Sequence, residues 1–229
     1  MSELPQSAPD LQQIYRERFS GTLQYRQRVW KELTSRCFST WVPPESAVLD
    51  LGCGYCEFIN NIRARKKYGM DLNPDAVGHA ATDVTILQQD CSQPWPVQPE
   101  SLDAVFTSNF FEHLPTKTHL EQTILQAWLA LKRGGTLIAM GPNIKYVPGA
   151  YWDFYDHHIA LTESSLAEVM KKCGFSMEQV IGRFLPYTMS NDKKYPLWML
   201  RLYLLLPVCW PLFGKQFLII ARKPTLCYP

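Results

Sequence analysis

From Ala47 onward the chain alternates short apolar runs with helical patterns, and that alternation narrows its fold more than any other feature. "AVLDL" reads as a strand, and Glu57 opens a helix with Phe58, Ile59 and Ile62 on one face. "KKYGMDL" is a short strand, after which Asn73 caps a helix that has Pro74 at its first position. "VTILQQD" and "LDAVFTS" are the next strands. Residues 118–132 read as a helix, with Leu120, Ile124, Trp128 and Leu131 at helical spacing and Gly134 and Gly135 as its stop. "TLIAM" is a fifth strand. Thr162 caps a helix carrying Leu166, Val169, Met170 and Cys173, which Gly174 ends. "FSMEQVIG" and "QFLIIARK" are the last two strands. The expected fold is α/β: a doubly wound, mostly parallel sheet of seven strands with helices on both faces. Ligands of such sheets sit at the carboxyl ends of the strands, near the point where strand order reverses.

Length and composition fit one domain with a small appendage. The chain has 229 residues, 46% of them hydrophobic, enough to bury a sizeable core. Charged residues make up 19% and the net charge is only +2, with no long run of like charge, so bulk electrostatics gives no support to nucleic-acid binding. The seven cysteines are an odd number and "MSELPQSAPD" is polar, which favours a reducing cytoplasm.

Two stretches stand outside the alternation. Residues 1–45 read as a helical cap or lid: Tyr15, Phe19, Tyr25, Val29, Trp30 and Leu33 are apolar among Arg and Gln, and Pro43 and Pro44 end the helix. Its alternative is an amphipathic helix packed on the sheet. The run from Leu197 to Phe213 is apolar except for Arg201. It is expected to be a buried helix and loop under the sheet. The alternatives are peripheral contact with a membrane, at the inner face in a cytoplasmic protein, and a short span.

The stretch "VLDLGCGYCEF" admits two readings. Cys53 and Cys56 have the spacing of a redox dithiol or half a zinc site, but a zinc site needs two more ligands and no second C-x-x-C exists. The same residues also read as a ligand-binding turn. Asp50 and Leu51 end a strand, Gly52 and Gly54 permit close backbone approach, and Glu57 opens a helix. The turn does not stand alone. Asp71 follows the second strand, Asp90 the third, and Ser108-Asn109 with Glu112-His113 the fourth.

With "YGMDLNPDA", "QQDCSQPWP", "LDAVFTSNFFEHL" and "LKRGGTLIAMGPN" in that order over residues 47–143, the chain resembles the class I S-adenosylmethionine-dependent methyltransferases, whose sheet is Rossmann-like. A dehydrogenase would place glycine at Cys56 and has no reason for Glu112-His113. The resemblance implies an enzyme that binds S-adenosyl-L-methionine. Asp50 and the Gly52-Cys53-Gly54 turn would hold the methionine part. Asp71 with Leu72 would hold the ribose hydroxyls, and Asp90 with Cys91 the adenine edge. Asn109 would border the transferred methyl. Cys56 departs from the family's usual glycine and is strained if its φ is positive.

In the implied methyltransferase domain, 46–225, residues 144–215 include the acceptor-side insertions. Tyr146, Tyr151, Trp152, Phe154 and Tyr155 are either core or a stacking floor for a sugar or ring. Asp156-His157-His158 follows them. "GRFLPYTMS" and the C-terminal run resemble members that accompany cell-envelope glycan synthesis. The expected reaction is methylation of a hydroxyl on a small molecule or glycan, with His157 ahead of His113 as base and Asp156 orienting His157. An N- or lipid-head-group methyltransferase at the membrane is the alternative, and a non-catalytic cofactor-binding scaffold is the second alternative. No metal is assigned, although Glu112-His113 and Asp156-His157-His158 are residue types that could hold a divalent ion.

Overall fold

The computed structural model describes residues 13, 16, 21–187 and 194–225. Tyr15, Phe19 and the Thr188–Ser190 end of "GRFLPYTMS" lie outside them. The strands are β1 (Ala47–Leu51), β2 (Lys66–Met70), β3 (Val84–Leu87), β4 (Leu102–Ser108), β5 (Leu131–Pro142), β6 (Ser176–Ile181) and β7 (Gln216–Arg222). They form one sheet of order β3-β2-β1-β4-β5-β7-β6. β1 pairs in parallel with β2 and β4, and β7 runs antiparallel between β5 and β6. This is the expected doubly wound, mostly parallel sheet. Strand order reverses between β1 and β4, so the cleft between their carboxyl ends is where a ligand belongs.

The helices are α1 (Leu23–Arg36), α2 (Glu57–Asn61), α3 (Asp75–His79), α4 (Lys117–Ala130), α5 (Glu163–Lys172), α6 (Leu197–Leu205) and α7 (Trp210–Phe213). Strand side chains alternate between two cores. Ala47, Leu49 and Leu51 face the core that contains Leu120, Ile124, Leu166 and Met170 of α4 and α5. Val48, Ala104 and Phe106 face the opposite core, with Trp30, Leu33, Phe58 and Ile59. Because both sheet faces are covered, the central strands are mostly apolar rather than alternating with polar residues.

Helix α1 is packed into the body. Val29, Trp30 and Leu33 are buried, and Phe106 stacks on Phe58 at 3.7 Å and meets the ring of Trp30 edge-on at 5.9 Å. The helix stops at Arg36, before the two prolines. The expected caps hold locally. Asn73 Oδ1 accepts the Asp75 N–H at 2.9 Å. Thr162 and Ser165 close a reciprocal capping box on α5, and Gly174 ends that helix at φ +97°.

Two expectations are corrected. The helix over 118–132 ends at Ala130, and Leu131 already pairs with Leu102 of β4. Gly134 and Gly135 therefore lie inside β5 rather than stopping a helix. Gly134, at φ +77°, donates its N–H to the Lys223 carbonyl across the β5–β7 edge. Pairing with two neighbouring strands outweighs the local helix stop. The second correction concerns the apolar run from Leu197 to Phe213. One side of it packs against the core under the sheet, but α6, the 3-10 turn Pro207–Cys209 and α7 contain no buried residue.

Candidate functional site

At the switch point lies a cleft lined by Asp50, Gly52, Cys53, Gly54 and Glu57 from the β1–α2 turn. Phe106, Ser108, Asn109 and His113 line it from β4 and the turn after it, Phe154 and His157 from the loop after β5, and Arg26, Trp30, Tyr187 and Gln216 from elsewhere. The glycine turn, the segment after β4 and the acceptor-side loop thus meet in one place.

The β1–α2 turn is built on left-handed backbone. Gly52, Gly54 and Cys56 have φ of +70°, +49° and +61°. A Cβ on Gly52 would stand 2.3 Å from the ring of Phe110, so glycine is required there for space as well as for conformation. The Gly52 and Cys53 N–H groups both donate to the Met70 carbonyl, at 2.8 and 3.1 Å, which closes the turn onto β2. Gly54 N–H donates to Asp71 Oδ2 at 2.7 Å, and Asn73 N–H to Oδ1 at 2.8 Å. Asp71 is therefore tied to the glycine turn.

Cys53 and Cys56 are both buried, with sulfurs 3.9 Å apart, and neither is in a disulfide. The hydrogen bond shared with Cys56 and burial push the Cys53 thiol well above its ordinary pKa, which makes it a poor thiolate nucleophile. Cys56 carries the strain anticipated for a positive φ.

The charge pattern of the cleft is acidic with one clamp. Arg26 makes a two-pronged bond to Glu57, Nε to Oε1 at 2.6 Å and Nη2 to Oε2 at 3.0 Å. Burial, then the charges of Glu57 and Asp71, raise the pKa of Asp50 well above the carboxylate range. Burial raises that of Asp71 against the backbone N–H groups that lower it. A cationic ligand would relieve both carboxylates.

Asp90 and Cys91 stand apart from this lining. Asp90 Oδ1 accepts the Ser92 N–H and hydroxyl, each at 2.8 Å. Cys91 packs in the core beside Thr123, and burial lifts its thiol to about 12. Leu72 is exposed. Asp71, Leu72, Asp90 and Cys91 are outside the cleft lining.

On the acceptor side, His113 Nδ1 donates to the Asp156 carbonyl at 2.9 Å and lies 3.2 Å from Asp156 Oδ2. Asp156, expected to orient His157, is thus paired with His113. Burial opposes charge on His113, but the Asp156 hydrogen bond and the charges of Glu112 and Asp156 outweigh it, so its pKa is raised. His157 is buried, its ring 4.7 Å from that of His113 and stacked on Phe154 at 5.1 Å. Glu112, His113 and His157 each bring one donor atom within 4.8 Å of the others, a spacing a divalent ion could bridge. His158 is exposed. The aromatics divide. Tyr151 is core, its hydroxyl donating to the Ile159 carbonyl, while Phe154 lines the cleft and Tyr155 is exposed.

Arg26, Trp30, Tyr187 and Gln216 were not apparent as site residues in the sequence. Gln216 carried the one available signal, a buried amide opening the apolar strand "QFLIIAR". Trp30 Nε1, Asn109 Oδ1 and Gln216 Oε1 are buried without a hydrogen-bond partner among the described residues, and all three belong to cleft-lining residues. Buried polar atoms are ordinarily satisfied, so a polar ligand here would complete them.

A doubly wound sheet with a glycine turn, acidic residues after consecutive strands and unsatisfied polar atoms at its switch point defines a site for a nucleoside-bearing cofactor. The methyltransferase-domain family model matches residues 23–180, and the chain belongs to that family. It is an enzyme of the class I methyltransferases, and its cofactor is S-adenosylmethionine. No curated protein matches the sequence. Among solved structures, a SAM-dependent methyltransferase from Archaeoglobus fulgidus is 21% identical with a TM-score of 0.67, covering 92% of this chain and 98% of its own. The N-methyltransferase NodS from Bradyrhizobium japonicum WM9, solved with S-adenosyl-L-homocysteine, is 13% identical with a TM-score of 0.59, covering 88% and 87%. The cyclase SpnF is 15% identical with a TM-score of 0.65, covering 98% of both chains. At such identities the likeness speaks for the fold, and the site has to speak for the reaction.

Proposed function

We propose that the protein transfers a methyl group from S-adenosylmethionine to a hydroxyl of a small-molecule or glycan acceptor. The observation that carries this reading is the position of His157, buried beside His113 and Phe154 in the cleft that the glycine turn also lines.

The cofactor supplies a methyl on a sulfonium, ready for in-line displacement. The chain's own residues do the rest. Asp50 and the Gly52–Gly54 turn hold the methionine end, where buried carboxylates favour its cationic groups. Asp71, anchored by the Gly54 N–H, holds the ribose hydroxyls. By the family resemblance Asp90 and Cys91, which stand outside the cleft lining, would flank the adenine edge, and Asn109 would border the reacting methyl. Phe154 offers a face for a ring, and His157 takes the proton of the attacking hydroxyl. Alignment of hydroxyl and methyl supplies several kcal/mol of the barrier reduction, on the order of 7–11 at the upper end.

A second reading has a specific support. The exposed apolar element at Leu197–Leu205 favours a membrane-associated acceptor, such as a lipid head group. Incubation with methyl-labelled cofactor and a panel of glycosides, phenols, amines and lipid head groups separates the two. Magnetic resonance then distinguishes O-methyl from N-methyl products. An O-methyl product is expected, and exclusive N-methyl product would sink the hydroxyl assignment.

A further inference from the structure

The run from Leu197 to Phe213 has one face fastened to the protein and one face without cover. On the inner side Leu197, Leu200, Tyr203, Leu204 and Trp210 pack against the core under the sheet. The Tyr203 hydroxyl donates to the Phe184 carbonyl at 2.6 Å, and Arg183 donates to the Gly214 and Leu212 carbonyls, both at 2.8 Å. Arg201 grips Glu32 of α1 with two bonds, at 2.9 and 2.6 Å. The element is therefore built onto the body rather than trailing from it.

The outer side carries Trp198, Leu202, Leu205, Val208, Leu212 and Phe213, all exposed, with Leu205, Val208 and Leu212 at 70%, 75% and 68%. A helix that is apolar all round normally lies in a core or in lipid, and this one lies on the surface. Scattered exposed apolar residues need no explanation, but a contiguous run of large ones does. A nine-residue helix is about 13 Å long, well short of a hydrocarbon core of about 30 Å, so it cannot cross a bilayer. No helix among the described residues is long and apolar enough to do so.

Charge selects the occupant. Between Lys194 and Lys215 the chain has three basic residues, Lys194, Arg201 and Lys215, and no acidic one. On the adjoining helix α1, Arg28, Lys31 and Arg36 are exposed, and Glu32 is held by Arg36 and Arg201. An apolar face with Trp198 on it and Tyr195 and basic residues around it matches an anionic bilayer surface, in which aromatic rings sit at head-group level and lysines reach the phosphates. From these observations we infer that the α6–α7 face docks peripherally on anionic membrane. The docked element is tied through Arg201 and Glu32 to α1, which supplies Arg26 and Trp30 to the cleft. The inference rests on this surface and does not depend on which acceptor is methylated.

The test is flotation of the full-length protein with phosphatidylcholine vesicles containing or lacking phosphatidylglycerol. Co-flotation with the anionic vesicles is expected, weakened by salt and at least tenfold poorer with phosphatidylcholine alone. Trp198 emission should shift to the blue on binding. The variant L205E/V208E/L212E alters only exposed positions. It should lose vesicle binding at least tenfold while keeping its melting temperature and its affinity for S-adenosylmethionine. K194E/K215E should lose the preference for anionic lipid. Two results would overturn the inference: wild-type protein that ignores anionic vesicles, or a wild-type dimer that the triple variant dissociates without any change in vesicle binding, which would make this face a contact between two copies.

Discussion

His113 and Asp156, separated by 43 positions in the sequence, are joined twice, with His113 Nδ1 2.9 Å from the Asp156 carbonyl and 3.2 Å from a carboxylate oxygen. The pair links the turn after β4 to the loop after β5, the two walls of the cleft on the acceptor side. The Asp156 hydrogen bond raises the pKa of His113 above its ordinary 6.5 despite burial. A raised pKa means that the folded state holds the proton more tightly than the unfolded chain. The contribution to stability is complete below pH 6.5 and is lost as pH rises through the folded value. Melting temperature should therefore fall on going from pH 6 to above the folded pKa of His113. His113→Gln should flatten that slope, and an equally steep decline in the variant would assign it to another group.

His113 is tied to Asp156 through Nδ1, whereas His157 lines the cleft beside Phe154, which favours His157 as the base. His157→Gln should cut turnover by about 10²–10⁴-fold with cofactor affinity retained. A structural role would instead lower the melting temperature and weaken acceptor binding. The base assignment also expects turnover to survive chelators. A strict need for a divalent ion would assign Glu112, His113 and His157 to metal binding rather than proton transfer.

Asp71 holds the Gly54 N–H, and in the proposed function it binds the ribose. Asp71→Ala should weaken S-adenosylmethionine binding by roughly 1–3 kcal/mol, through a lost ligand bond and an unheld turn. Calorimetry with S-adenosylhomocysteine reads this directly, and unchanged affinity would move the ribose contact elsewhere.

Cys56 occupies a left-handed position, at φ +61°, with a buried side chain. Cys56→Ala keeps the strain and loses the sulfur's packing, whereas Cys56→Gly loses the packing and relieves the strain. Glycine should therefore be the more stable of the two variants by about 1 kcal/mol, the reverse of their order in a helix interior. Cofactor affinity of Cys56→Gly should match or exceed wild type. A large loss would mean that the thiol has a role in the site. Gly52→Ala should fail on both counts, because its Cβ would collide with Phe110.

Much of the fold was legible in the sequence because its signals are local. Apolar runs mark strands, Asn73 and Thr162 mark helix starts, and the glycine turn follows a strand by sequence adjacency alone. The acidic residues after successive strands could be placed at one end of the sheet for the same reason, since a parallel strand order puts all carboxyl ends together. Tertiary structure decided what depends on partners distant in sequence. Leu131 to Gly135 became strand because β4 and β7 offered their backbone bonds, overriding a local helix stop. Asp156 reached His113, 43 positions away in sequence, because the turn after β4 folds against the loop after β5. Arg26 and Trp30 entered the cleft from α1, and Gln216 from β7. The run from Leu197 to Phe213 shows the limit most clearly. Hydrophobicity marks it for contact with apolar surroundings, but only its inner side finds them in the core, and its outer apolar side chains stay at the surface.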